Sequence, residues 1–168
     1  MRGSRFTISG RVVYDYGEGY WSEWLLRSDR DSAWLHEDEG VYLLLTETPV
    51  NEEVPPRDRF RVGQILEWNG LPRWFLTEVR TAKVFAVEGA VPPGTTPGLE
   101  VFFADGLAGG KVVTLDTRAE GGNPRLLMGT PVEYEEIVID DEGGGGASAG
   151  ERGGGAGAGG AGGGIRGF

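Results

Sequence analysis

Tyr20-Trp-Ser-Glu-Trp-Leu-Leu26, Ala33-Trp-Leu35 and Val41-Tyr-Leu-Leu-Leu45 are three short runs dominated by aromatic and aliphatic residues. Between them stand Ser28-Asp-Arg-Asp31 and Glu37-Asp-Glu-Gly40, polar stretches that suit turns. Apolar runs of this length, with a turn signal roughly every 8–12 residues, mark an antiparallel meander. A helix needs apolar residues three and four apart over a longer window, and Gly or Pro interrupts most such windows here. This stretch decides for strands.

The pattern continues on both sides. Upstream, Phe6-Thr-Ile8 and Arg11-Val-Val-Tyr14 lead into the turn Gly17-Glu-Gly19. Downstream, Glu47 to Arg59 carries Pro49, Pro55 and Pro56 and reads as a connection. Beyond it come Gln64–Trp68, Arg73–Val79, Ala82–Val87, Leu99–Phe103, Lys111–Leu115 and Val132–Ile139, with Asn69-Gly70 as a hairpin signal. In the last run Glu133 and Glu135 flank Tyr134, as expected of a strand with one wet face. About eleven strands do not lie comfortably in one flat sheet, so the expected fold is all-β, an antiparallel two-sheet or barrel-like domain. The two strand groups, about residues 5–46 and 60–139, open alike. Gly10-Arg-Val-Val-Tyr14 followed by Trp24-Leu-Leu26 is echoed by Gly63-Gln-Ile-Leu-Glu67 followed by Trp74-Phe-Leu76, which points to a related strand unit. The expected core is Trp24, Leu26, Trp34, Leu43, Ile65, Trp74, Leu76, Val84, Phe102 and Leu115.

Composition bounds the function. Of the 168 residues, the 26 from Gly143 to Phe168 hold 15 glycines and 5 alanines. Such sequence buries too little to offset its ordering entropy, so it reads as a disordered Gly-rich C-terminal tail after an all-β domain at 1–142. The tail closes on Ile165-Arg-Gly-Phe168, where Ile165, Arg166 and Phe168 have the chemistry of a partner-docking peptide. Lys+Arg is 16 against Asp+Glu 26, a net charge of -10, which argues against nucleic acid as a partner. With no cysteine and one histidine there is no disulfide and no Cys/His zinc site, so neither metal nor cofactor is expected. The apolar run Val41–Leu45 is too short to span a bilayer. Arg2, Arg5 and Arg11 break the only candidate leader, so the expected location is cytoplasmic, reaching a membrane only through a partner.

Few residues carry chemistry. His36 follows Leu35 and precedes Glu37-Asp-Glu39, and is expected to be an exposed turn residue after a strand. Asp29, Asp31, Glu37, Asp38 and Glu39 lack the alternating-oxygen pattern of a calcium loop and read as solvated charge. Paired carboxylates such as Glu78 with Glu88, or Glu133 with Glu135, suit acid/base hydrolysis of glycosides, a distant third among functions. Gly106-Leu-Ala-Gly-Gly-Lys111 runs into Val112-Val-Thr-Leu115, a strand rather than a phosphate-binding helix. The aromatics say more. Tyr14, Tyr16, Tyr20, Trp21 and Trp24 crowd one hairpin, interleaved with Asp15, Glu18 and Glu23, and aromatic faces beside carboxylates suit an organic cation. Tyr14, Tyr16, Tyr20, Trp21 and Glu23 are therefore the candidate ligand-binding residues.

Gly10-Arg-Val-Val-Tyr14, Trp21-Ser-Glu-Trp-Leu-Leu26 and Ala33-Trp-Leu35 resemble the first half of domain-of-unknown-function family 4178, an uncharacterised bacterial family. Leu76-Thr-Glu-Val-Arg-Thr-Ala82, Val87-Glu-Gly89 with Pro92, Phe102-Phe-Ala-Asp105, Thr114-Leu-Asp116 and Gly129-Thr-Pro-Val132 resemble its second half. Ala90 stands where an acid is expected, and Asp116 where glutamate is usual. The resemblance assigns no catalytic residue. It implies a genomic setting near phage-shock-protein-A-like membrane-remodelling proteins, polyamine synthases and small membrane proteins. The expectation is a non-catalytic binding or adaptor module in a bacterial membrane-stress or polyamine-linked system, its partner a membrane-remodelling protein of the phage-shock type. The alternative is a β-domain that binds a small organic cation or polyamine.

Overall fold

Strands whose successive side chains point to opposite faces can line two different environments at once, and this chain uses both. The computed structural model describes residues 5–118 and 122–138. The Gly/Ala-rich stretch 143–168, with Ile165, Arg166 and Phe168, lies outside the described residues.

Nine strands form one antiparallel sheet: β1 (Thr7–Asp15), β2 (Tyr20–Arg27), β3 (Ser32–Asp38), β4 (Val41–Thr48), β5 (Ile65–Leu66), β6 (Trp74–Gly89), β7 (Glu100–Ala108), β8 (Lys111–Arg118) and β9 (Arg125–Val132). Their order is β1-β2-β3-β4-β9-β8-β7-β6-β5, and β1 also pairs with β6. That pairing closes β1–β4 and β6–β9 into an eight-stranded barrel, leaving the two-residue β5 paired with Trp74 and Phe75 at the start of β6. The fold is all-β and barrel-like. Two four-stranded meanders close on each other through the β1–β6 and β4–β9 seams.

The strand boundaries differ from expectation for local reasons. Phe6–Ile8 and Arg11–Tyr14 belong to the single strand β1, whose register shifts between Ile8 and Gly10. Arg73–Val79 and Ala82–Val87 likewise merge into the 16-residue β6. β9 has no counterpart in the expected strands, because Pro124, Gly129 and Pro131 look like turn signals. The segment expected to be a strand from Val132 stops there. Tyr134–Glu136 is a 3-10 turn, closed by reciprocal bonds between Glu133 and Glu136.

Two cores share these strands. Inside the barrel, Val12, Tyr14, Trp21, Leu25, Trp34, Leu45, Ala82, Val84, Val101, Phe103 and Leu127 pack together. An eight-stranded barrel is just wide enough for side chains to fill it. Outside, the connection between β4 and β6 folds back on the wall. Its Phe60, Leu66, Trp68 and Leu71 cover Trp74, Leu76, Phe102, Ala104, Val113, Leu115 and Leu126. Asn69 clasps this cover, accepting from Asn51 N at 2.7 Å and donating to Pro49 O at 2.9 Å. Its φ of 53° is one that asparagine tolerates and most residues do not.

Six of the ten expected core residues are buried: Trp34, Trp74, Leu76, Val84, Phe102 and Leu115. Trp24, Leu26 and Leu43 are half-buried, and Ile65 is exposed. In β2 the inward side carries Trp21, Glu23 and Leu25, so Trp24 and Leu26 fall on the outer face. There Arg11 lies over the Trp24 ring at 5.2 Å.

Candidate functional site

The inward positions of the barrel are not uniformly apolar. Glu23 on β2, His36 and Asp38 on β3, Glu78 and Arg80 on β6, Asp105 on β7, Thr114 and Asp116 on β8, and Arg125 on β9 all occupy them. The register makes this unavoidable. Glu23 opposes His36, Glu78 opposes Asp105, Asp105 opposes Thr114 and Asp116 opposes Arg125. A register shift between Leu76 and Glu78 reverses the faces of β6. It sends Trp74 and Leu76 to the outer core while Glu78 and Arg80 turn inward.

The deeper part is a sealed ionic network. Arg125 donates from Nε to Asp116 Oδ2 at 2.6 Å, pairs with the same oxygen through Nη2, and reaches Glu23 Oε2 at 3.4 Å. Its guanidinium lies 4.5 Å over the Trp34 ring, whose indole donates to Glu47 Oε1 at 3.2 Å. Burial pushes the Asp116 carboxyl above its usual range, with Arg125 pulling the other way. Burial also pushes Glu23 up, but His36 and Arg125 outweigh it and leave the carboxyl below its usual value. His36 mirrors this. Burial disfavours its charge, yet the neighbouring Glu23, with Asp105 and Asp38, holds the imidazole above its usual value. His36 Nδ1 stands 3.7 Å from Glu23 Oε1, an ion-pair distance. His36 is therefore an inward residue of β3 rather than an exposed turn residue.

Toward the end of the barrel where β3 meets β4 and β7 meets β8, the network opens. Arg80 lies 4.5 Å over the Tyr16 ring and 5.3 Å over Trp21, pairs with Glu78, and stands 3.8 Å from Asp38 Oδ2. The other Asp38 oxygen is buried without a hydrogen-bond partner among the described residues. The Trp21 indole N–H faces Glu23 but lies outside hydrogen-bond geometry. Asp105 is the unbalanced group. Burial raises its carboxyl to about 6, against a bond from Thr114 and the charges of His36 and Arg80.

Of the expected ligand-binding residues, Tyr14, Tyr16, Trp21 and Glu23 converge inside the barrel. Tyr14 stacks on Trp21 at 5.0 Å, and Tyr16 meets Trp21 at 5.7 Å. Tyr20 points the other way, exposed on the outer wall against Phe85. Glu78 lies at the mouth, while Glu88 is on the outer face, 3.9 Å from Arg11. Glu133 and Glu135 flank and enter the 3-10 turn rather than alternating along a strand. Asp105, Asp116, Arg125 and Arg80 were missed by sequence reasoning. The available signal was a charged residue at an inward position of an otherwise apolar strand.

Past the mouth, the inward face continues as a row of apolar residues. Ile65 opposes Phe75, Phe75 opposes Leu107, and Leu107 opposes Val112. Ile65, Phe75 and Leu107 are 44%, 42% and 49% exposed, an unusual density of large apolar side chains on three adjacent strands.

A family model described as domain of unknown function (DUF4178) matches residues 1–134. The chain belongs to that family. The match spans every strand of the barrel, so the DUF4178 domain and the barrel coincide. No curated protein and no solved structure matches the chain. In this DUF4178 domain Asp116 pairs with Arg125, as Glu23 does from across the barrel. Among the described residues no helix is long and apolar enough to cross a membrane.

Proposed function

We propose that this DUF4178 domain is a non-catalytic binding module, an adaptor that holds a protein partner on the apolar row Ile65–Phe75–Leu107 at the barrel mouth. The exposed row carries this reading. Three large apolar side chains in adjacent register positions gain by being covered, at roughly 25 cal/mol per Å² removed from water. The interior supports it, because the barrel is filled by aromatic and aliphatic side chains and its deeper charges are spent on one another. The setting we propose is the one the resemblance implies, a bacterial membrane-stress or polyamine-linked system. The partner we propose follows the same resemblance, a membrane-remodelling protein of the phage-shock type offering an apolar surface to the row.

The test is direct binding between the purified full chain and a purified phage-shock-type membrane-remodelling protein, followed by interferometry. Phe75→Glu with Leu107→Glu should abolish the complex, with the fold checked by circular dichroism. Phe85→Glu, which charges a still more exposed aromatic on the outer wall, should leave it intact. No complex with the native chain, or equal loss from both variants, rejects the reading.

A further inference from the structure

The aromatic and acidic hairpin does hold a cation, and the cation is the protein's own. Arg80 sits over two aromatic faces, Tyr16 at 4.5 Å and Trp21 at 5.3 Å, with Glu78 and Asp38 as its carboxylates. Two π-faces and two carboxylates are what a guanidinium or ammonium ligand needs for tight recognition. Arg80 fills the cage incompletely. It reaches Asp38 through one oxygen at 3.8 Å, and the other Asp38 oxygen is buried with no donor. The charges around it do not balance either. Asp38 on β3, Glu78 on β6 and Asp105 on β7 face Arg80, while Glu23 on β2 is shared between His36 and Arg125 and Asp116 holds Arg125. The Arg80 side chain is still 22% exposed, so solvent reaches the cage.

We infer that the barrel mouth is a recognition site for a guanidinium or primary ammonium group, with Arg80 as a resident occupant that an incoming cation displaces. The ligand's charged head takes the place over Tyr16 and Trp21 and supplies the donor that Asp38 lacks. Arg80 swings outward into solvent, where its charge is well hydrated. Two sources share this chemistry, a free small amine and an arginine side chain of a peptide. The inference does not depend on the apolar row, which lies beside the cage and not within it.

Calorimetric titration at low ionic strength tests it, with agmatine as the free cation and N-acetylarginine amide as the side-chain mimic. The native chain should bind at least one of them. Arg80→Gln, which removes the competitor but keeps a polar side chain of similar shape, should bind about tenfold more tightly. Lys83→Gln removes the same charge from an exposed position on the same strand, and should leave affinity unchanged. Adding Tyr16→Leu to Arg80→Gln should remove the gain. Stronger binding of agmatine identifies a free amine as the ligand, and stronger binding of the amide identifies an arginine side chain. If the native chain binds neither probe, if Arg80→Gln binds no more tightly, or if Lys83→Gln gains as much, the site is a structural ion pair and the inference is wrong. Should Arg80→Gln fail to fold, Arg80→Lys serves instead. Its smaller head fills the cage less well, so it must bind the probes more tightly than the native chain does.

Discussion

Asp105 and His36 face each other across the barrel with opposite effects on stability. Burial raises the Asp105 carboxyl from 3.8 to about 6, so the folded state holds its proton to higher pH than the unfolded chain does. Stability therefore falls as pH rises through that interval and stays reduced above it. Asp105→Asn keeps the shape and a partner for Thr114 without the charge. At pH 8 it should raise stability by about 2 kcal/mol, allowing for partial exposure, and near pH 3.5 it should have little effect. A thermal melt series in which the variant is no more stable at pH 8 would show that His36 and Arg80 fully compensate the charge. His36 runs the other way. Its imidazole is held above the usual 6.5, so its pairing with Glu23 contributes fully below that pH and is lost as pH rises through the folded value. His36→Gln should cost most near pH 5.5, where Glu23 is ionised and the imidazole is charged in both states. The difference from the native chain should shrink toward pH 9. A pH-independent difference would mean that His36 acts by packing alone.

Among the strands, β9 depends most on a missing side chain. A Cβ on Gly129 would lie 1.8 Å from the Leu44 carbonyl oxygen and 2.8 Å from its carbon, a clash with backbone that no rotamer relieves. β9 joins the two meanders at the β4 seam, so Gly129→Ala should open that seam and cost on the order of 3 kcal/mol. Gly40→Ala has no such neighbour, and its penalty is limited to the strain of a φ of 82°. Equal losses from the two substitutions in urea unfolding would refute the steric account. Gly129 also explains what the sequence concealed. A glycine between Pro124 and Pro131 reads as a turn, whereas here it permits close strand approach in mid-strand. Alternation was legible where one face is plainly apolar, as at the two ends of β6, where Trp74, Leu76, Ala82 and Val84 are buried between exposed neighbours. It misled in β2, where the inward face carries Glu23 and the outward face carries Trp24. Hydrophobicity marks burial only when the interior is apolar, and this interior holds its charges by pairing them. The acid-and-aromatic character of the first hairpin was readable from local sequence. Its occupant was not, because Arg80 comes from a strand sixty residues away and depends on the shift between Leu76 and Glu78.

The whole barrel is one sheet with a core on each side of its second half. β7 and β8 contribute Val101 and Phe103 to the interior, and Phe102, Ala104, Val113 and Leu115 to the outer core. The outer core has no member from β1 to β4, and those strands reach it only through the shared wall and the seams at β6 and β9. A closed barrel has no free edge at which one meander could detach while the other keeps its pairing. The two cores should therefore unfold as one cooperative unit. Trp74→Ala is the informative substitution, because Trp74 is fully buried in the outer core and touches Phe60 and Trp68. Removing it should cost about 3–5 kcal/mol. If the barrel is one unit, that loss appears undiminished in the slowest-exchanging amides of β2 and β3, far from the deleted ring. Their exchange by native-state hydrogen–deuterium measurement should accelerate by the same factor as that of β8, on the order of a hundredfold or more. If β2 and β3 keep their native protection while β7, β8 and the cover lose theirs, the outer core is a separable layer. The apolar row at the mouth, carried by β5, β6 and β7, would then belong to the part of the molecule that opens first.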